Sequence, residues 1–415
     1  MSRNEGAYQL ESLKQSVMNI GTLGHIDHGK TSLTRAITHV WTDKHSESLK
    51  RNMTIKLGYA DAIIRKCDNC TGAAAYTTED KCPKDGSAPR PLIRISMLDA
   101  PGHETLMATA IAGASVIDAI LFVIAANEPC PMQQTREHLM IINLLGLKHV
   151  IIVQSKVDIV GKEAAEKHYR QIRDFVRGSI IEDAPVVPVM TNQGVNVDAL
   201  LEKIANMPMP HRDLGSDPLM YVVRSFDVNK PGSDVTKLSG GIIGGAVKRG
   251  VFKVGDEIEI RPGANFAAQG SKKGSYRALV TVITGISNGT DMMESAEPGG
   301  LMGVSTELDP AFTKADSLVG NLVGHAGKLP EPITGMVMKY HKIERNDIPE
   351  QAIRENEPLL MGIGTATVVG HVKKARKDVV EVELSSQVCA EKNVKMAVLR
   401  NISQRWRLTG YGILS

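Results

Sequence analysis

With 415 residues, 42% of them hydrophobic and 23% charged, the chain has room for about two to four domains, each with its own core. A net charge of +3 and an aromatic content of 4% exclude indiscriminate nucleic-acid binding through phosphate charge and a surface of base-stacking platforms. No stretch is long and apolar enough to span a bilayer, the N-terminus MSRNEGAYQL has no signal-peptide core, and three of five cysteines crowd between Cys67 and Cys82, so a cytoplasmic chain with no membrane partner is expected.

The first element expected is a buried strand on Val17, Met18 and Ile20, and the next is a helix with apolar positions Leu33, Ile37, Val40 and Trp41. Between them Gly24 to Thr31 read GHIDHGKT, which fits the phosphate-cradling pattern G-x-x-x-x-G-K-[ST]. A loop joining a strand end to a helix N-terminus points backbone N–H groups and the positive end of the helix dipole at an anion. There Lys30 reaches the outer phosphates and the Thr31 hydroxyl ligates magnesium. His25 and His28 are expected to matter through their backbones more than their rings.

The loop alone leaves ATP and GTP open. RNMTIKLGYA, residues 51–60, offers Thr54, whose hydroxyl and carbonyl could close over magnesium when a γ-phosphate is present. MLDAPGHE follows a strand expected at Ile93–Leu98. Its Asp99 would hold magnesium through water, the Gly102 N–H could sense the terminal phosphate, and His103 could polarise the attacking water. Strands at Ala119–Ile124, Val150–Val153 and Val186–Met190, with helices between them such as Lys162–Val176, read as a parallel sheet covered on both faces. In VQSKVD, Asp158 at a strand end can accept from both the N1–H and the 2-amino group of guanine. Adenine has no such donor pair, which selects GTP.

The character changes at MPMPHRDLGSDP, residues 207–218, where X-Pro steps and turn residues argue for a domain boundary. Short β-rich runs split by glycine turns follow, with a second break at HAGKLPEPITG, residues 325–335, and suggest two small barrels or sandwiches. The expected layout is an α/β domain over 1–212 with a cysteine-containing insertion near 67–85, then all-β domains over 213–328 and 329–415. VKKARKD, residues 372–378, reads as a solvated β-turn or an RNA contact. RWRLTG near the C-terminus alternates as an edge strand would. Cys130 and Cys389 are isolated and read as buried small side chains.

With these motifs the chain resembles the translational GTPases. KRNMTIKLGYA, RSFDVNKPG and RWRLTGYG narrow the resemblance to the gamma subunit of eukaryotic and archaeal translation initiation factor two, from about Val17 to Ile413. It implies an α/β P-loop GTPase domain followed by two all-β barrels. It also implies a carrier of GTP or GDP with Mg2+ and of methionyl initiator tRNA, delivered to the small ribosomal subunit. Hydrolysis would be slow unless a partner stimulates it, with GTPase-activating and exchange factors among the partners. By position, Asp27, His28, Gly29, Lys30, Thr31 and Ser32 contact phosphates, Thr31 and Thr54 hold magnesium, and His103 orients the water beside Gly102. Tyr59 stands where the family meets the tRNA end. The loop carrying Asp227, Asn229 and Lys230 lies in the barrel that receives the alpha subunit, and the beta subunit docks on the G domain.

Two stretches depart from the family pattern. The base-reading motif N-K-x-D here runs Ser155, Lys156, Val157, Asp158, and a serine is too short to bridge base and phosphate loop as asparagine does. At the companion position, where Ser-Ala is usual, the chain has Met190 and Thr191 before Asn192: the Thr191 N–H can still meet guanine O6, but Met190 has no hydroxyl to steady Asp158. Weaker grip with phosphate sensing kept is one expectation, and compensation by neighbours is the other. Cys67, Cys70 and Cys82 look like three ligands of a zinc knuckle whose fourth cysteine is replaced by Asp85. Zn2+ through these three, or a loop that keeps its cysteines without metal, both stay open.

Overall fold

The computed structural model describes residues 13–42, 58–99, 116–230, 232, 234, 238–266, 276–345 and 351–414. Thr54, Gly102 and His103 lie outside the described residues. The chain divides into two compact units, Met1–His211 and Arg212–Ser415.

The first unit carries β1 (Met18–Leu23), β2 (Gly58–Lys66), β3 (Tyr76–Thr77), β4 (Arg90–Asp99), β5 (Ala119–Ala125), β6 (Val150–Ser155) and β7 (Val186–Val189). Every residue of β1, β5 and β6 is buried, as expected of strands covered on both faces, where a near-continuous apolar run replaces alternation. The sheet order is β3-β2-β4-β1-β5-β6-β7. The five strands from β4 to β7 in this order run parallel, whereas β2 pairs antiparallel with β4 on one side and with β3 on the other. The expected wholly parallel sheet is thus corrected at one edge, where β2 alternates buried with less buried positions, the pattern of a strand with one wetter face.

Among the described residues the helices are α1 (Lys30–Thr38), α2 (Gln133–Leu145), α3 (Lys162–Val176) and α4 (Val197–Ala205). Leu33 and Ile37 of α1 join Ile20, Met97, Leu121, Val153 and Leu200 in one core. Val40 and Trp41 do not continue that face. His39 adopts a left-handed φ of 60° and returns its N–H to the Arg35 carbonyl, which ends the helix and leaves both side chains exposed. The strand order reverses at β1, between β4 and β5, and a ligand crevice is expected at the carboxyl ends of strands beside such a reversal.

The second unit is two closed six-stranded barrels. The first comprises β8 (Leu219–Phe226), β9 (Ile242–Arg249), β10 (Phe252–Lys253), β11 (Glu257–Asn265), β12 (Tyr276–Ser287), β13 (Met292–Met293), β14 (Ser295–Ala296), β15 (Met302–Thr306) and β16 (Leu322–His325). Its ring β11-β16-β8-β9-β15-β12 closes through the β11–β12 pairing, while β13 and the β10–β14 ribbon lie outside it. The second comprises β17 (Ile333–Lys342), β18 (Pro358–Ile363), β19 (Ala366–Arg376), β20 (Val379–Val388), β21 (Lys395–Ile402) and β22 (Arg405–Leu414), closed in the order β17-β20-β19-β18-β21-β22. Within RWRLTG, Arg405 to Leu408 pair with β21 alone, as an edge would, and the pairing of β22 with β17 that closes the barrel begins at Gly410. In VKKARKD, Lys373 and Lys374 lie on β19 and pair with Glu383 at 2.5 Å and Glu381 at 4.0 Å on β20. No helix among the described residues is long and apolar enough to cross a membrane.

Candidate functional site

The crevice at the carboxyl ends of β1, β4, β5, β6 and β7 gathers the sequence motifs. After β1 the chain turns at Gly24, where a Cβ would collide with the Val123 carbonyl oxygen on β5. It enters α1 through Gly29 at φ 89°, with no side-chain cap and no acidic residue in the first turn. The first N–H groups of α1 thus have no internal acceptor and face the loop.

Lys30 donates from Nζ to the Gly24 carbonyl at 2.9 Å and the His25 carbonyl at 2.7 Å. Burial pushes its pKa down to about 8, against the pull of Asp99 and Asp27. Asp99, at the end of β4, is fully buried and accepts hydroxyl bonds from Thr31 at 2.7 Å, Thr42 at 3.0 Å and Thr22 at 3.1 Å. Burial raises its pKa, while Thr31, Lys30 and the other two threonines hold it down. Thr31 and Asp99 bring a hydroxyl and a carboxylate together beside the loop, the hard-oxygen donor set that suits Mg2+.

Behind the loop stands a polar wall in which the His28 ring, expected to matter less than its backbone, takes part. The His28 ring is fully buried, with Nδ1 3.1 Å from the Val123 carbonyl and Nε2 3.2 Å from a Glu128 carboxylate oxygen. Burial outweighs these two acceptors and pushes its pKa down to about 4. His138 on α2 is also buried, and neither ring nitrogen has a hydrogen-bond partner among the described residues. Burial first, then the charges of Lys30, His25 and His28, push its pKa down to about 3. A histidine four residues past a P-loop glycine is legible in sequence, but the carbonyl it meets lies 95 residues away.

Where the sequence analysis expects the base lies a cavity of about 180 Å³ lined by Gly29, Ser32, Ser155, Lys156, Asp158, Ile159, Thr191 and Asn192. Lys156 takes a left-handed φ of 56° and starts the short turn Val157–Ile159, on which Asp158 is exposed. Met190 precedes the turn Thr191–Gln193 and is bridged to Val195 by both backbone bonds. Ser155 keeps one half of the bridge that asparagine makes. Its hydroxyl donates to the His28 carbonyl at 2.6 Å, so the short side chain does reach the phosphate loop, because the ends of β6 and β1 both flank β5.

Two family models match the chain: "Elongation factor Tu GTP binding domain" over residues 15–209 and "Initiation factor eIF2 gamma, C terminal" over residues 334–414. A translation initiation factor 2 subunit gamma of Archaeoglobus fulgidus is 46% identical over 428 residues, covering 100% of both chains. One of Methanothermobacter thermautotrophicus is 49% identical, covering 96% of this chain and 99% of its own. The chain belongs to the translation initiation factor 2 gamma-subunit family. Among solved structures, a bacterial selenocysteine-specific elongation factor EF-Sec superposes with a TM-score of 0.72 at 22% identity, over 96% of this chain and 58% of that longer one. Translation elongation factor SelB of Methanococcus maripaludis with the GTP analogue GppNHp gives 0.70 at 20%, over 97% and 79%. Those two likenesses speak for the fold, an α/β GTPase domain followed by two barrels.

The remaining motifs of this gamma-family chain fall elsewhere. Tyr59 is 43% exposed on β2. Asn229 is ordered by Asp227, which accepts from its N–H and its Nδ2, and by the Ser239 backbone; Lys230 follows in the same loop after β8. Cys67, Cys70 and Cys82 bring their sulfurs within 4.8 Å of one another, with Cys70 and Cys82 at 3.6 Å, a spacing that suits three corners of a thiolate site. Asp85 is not a member of that set: one oxygen accepts from the Ser87 N–H and hydroxyl and the other from Asn69. Burial pushes the Cys67 thiol up to about 12. Cys389 is buried as expected, whereas Cys130 is only half-buried.

Proposed function

We propose that this chain is a GTP-dependent carrier of methionyl initiator tRNA to the small ribosomal subunit, the core of a heterotrimer with alpha and beta subunits, in which GTP hydrolysis triggers release. The observation that carries the reading is the convergence of loop, Asp99 and Asp158 on one crevice in a chain that matches gamma subunits along its whole length.

In this reading Asp27, His28, Gly29, Lys30, Thr31 and Ser32 cradle the phosphates. Asp158 reads the Watson–Crick edge of guanine, with Thr191 on O6. Thr31, Thr54 and Asp99 would hold Mg2+, which neutralises charge on the terminal phosphates. His103 orients the attacking water while Gly102 and Thr54 sense the γ-phosphate. Tyr59 meets the tRNA end, and Asp227, Asn229 and Lys230 face the alpha subunit. The domains run over 1–212, 213–328 and 329–415 in a cytoplasmic protein, and Cys67, Cys70 and Cys82 supply three sulfurs to a zinc ion.

Filter-binding titration of charged initiator tRNA with GTP, GDP or no nucleotide tests the reading. Tightening by GTP of about 5–150-fold over GDP is expected for a switch of ordinary coupling strength. Equal tRNA affinity in all three conditions would overturn it.

A further inference from the structure

We propose that this chain reads guanine without a contact to N7, so that the base is recognised on its Watson–Crick edge alone. The inference rests on the guanine-nucleotide reading above and follows from counting donors at Ser155. A serine hydroxyl has one hydrogen to donate and otherwise only lone pairs. At Ser155 that hydrogen goes to the His28 carbonyl at 2.6 Å. A carbonyl oxygen can only accept, so the direction of the bond is set by chemistry. What Ser155 has left is acceptor character, and guanine N7 is itself an acceptor. Two acceptors facing each other give no bond.

An asparagine in that position carries two amide hydrogens on one nitrogen and an oxygen beside it, so it can serve loop and base together. Serine serves one. Moving the Ser155 hydrogen to the base would strand the His28 carbonyl next to a residue that is 2% exposed, and an unmet buried acceptor costs more than an ordinary bond returns. The cavity's other side-chain donors stand on other turns: Ser32 on the first turn of α1, Lys156 at the start of the turn after β6, and Thr191 and Asn192 on the turn after β7. Ser155 is therefore a positioning residue for the phosphate loop and a specificity-determining one by omission.

The test is competition between GTP and 7-deaza-GTP, in which N7 is replaced by C–H, for the full chain at fixed salt. The unmodified protein should bind both within about twofold, since no hydrogen bond is lost. Ser155→Asn should acquire a preference for GTP of about fivefold or more, the equivalent of one regained bond. Ser155→Ala, which releases the loop but touches no base atom, should weaken both nucleotides by the same factor. A preference of fivefold or more for GTP in the unmodified protein, with GTP binding intact, would overturn this inference and leave the guanine reading standing. Failure to bind any guanine nucleotide would overturn both.

Discussion

At the phosphate end of the crevice Lys30 and Asp99 are almost wholly removed from solvent. Each is held by bonds from separate elements: Lys30 by loop carbonyls, and Asp99 by hydroxyls from β1, from α1 and from the residues after α1. At the base end Asp158 and Asn192 are exposed and sit on short turns. The difference is one of tolerance. A buried charge must have all of its partners placed, or it becomes costly, so the phosphate end admits few substitutions. The base end keeps its solvent at Asp158 and Asn192, and there the half-buried Met190 stands in for the usual residue, whereas the buried Ser155 is held by its bond to the His28 carbonyl.

Acidification should break the comparison most strongly, on the phosphate side. His138 has a folded pKa near 3 against an ordinary value of about 6.5, so the unfolded chain takes the proton first. Stability is whole above pH 6.5 and falls as the pH drops towards 3, by about 1.4 kcal/mol per pH unit from this one group. Hydrogen exchange of the β5 and α2 amides should show the loss, and His138→Leu should make it shallower, leaving the part that comes from His28 with its pKa near 4. An unchanged slope in that variant would remove His138 as its source.

Next in size is Asp158→Asn. Asparagine keeps one acceptor oxygen but turns its amide N–H towards the 2-amino group, so one bond to a charged acceptor is lost and two donors are opposed: GTP affinity should fall by about 10²–10³ while xanthosine triphosphate, whose 2-oxo group accepts from the new amide, binds better. Equal GTP affinity in variant and parent would dismiss Asp158 from the base.

Nucleotide affinity should also fall with rising pH. Lys30 titrates near 8 in the folded chain, and phosphate binds its charged form, so affinity is flat below pH 8 and drops above it by up to about tenfold per unit. Titration of GDP between pH 7 and 9 would display this, and a flat profile would mean that Lys30 stays charged without phosphate. The smallest effect is expected of Met190→Ser. A hydroxyl near Asp158 should tighten GDP by only about 0.5–1 kcal/mol, because the site is open to water. Slower release of labelled GDP in stopped flow is the readout, and a larger change would show the base end to be less forgiving than described.

Sequence reading located α3 to the residue and the strands at Ile93–Leu98, Ala119–Ile124 and Val150–Val153 to within a few positions, the last two as contiguous apolar runs and the first by the alternation of Ile93, Ile95 and Met97 with Arg94 and Ser96. It extended α1 too far because Val40 and Trp41 keep the helical period, while a left-handed His39 leaves no trace in that period. It read RWRLTG as an edge, which holds for Arg405 to Leu408, but alternation could not show that β22 gains β17 as a second neighbour from Gly410 onward.

The phosphate loop, the Asp99 and Asp158 motifs and the change from α/β to all-β character were determined by the sequence itself, for they rest on spacing within a few residues and on the period of neighbouring side chains. The tertiary structure alone decided the Ser155 bond to His28, across 127 residues, the burial of His28 against Val123 and the gathering of three cysteine sulfurs without Asp85. Such contacts depend on where β1, β5 and β6 come to rest beside one another. That placement is settled by burying both faces of the sheet together, a collective outcome that no local stretch of sequence records.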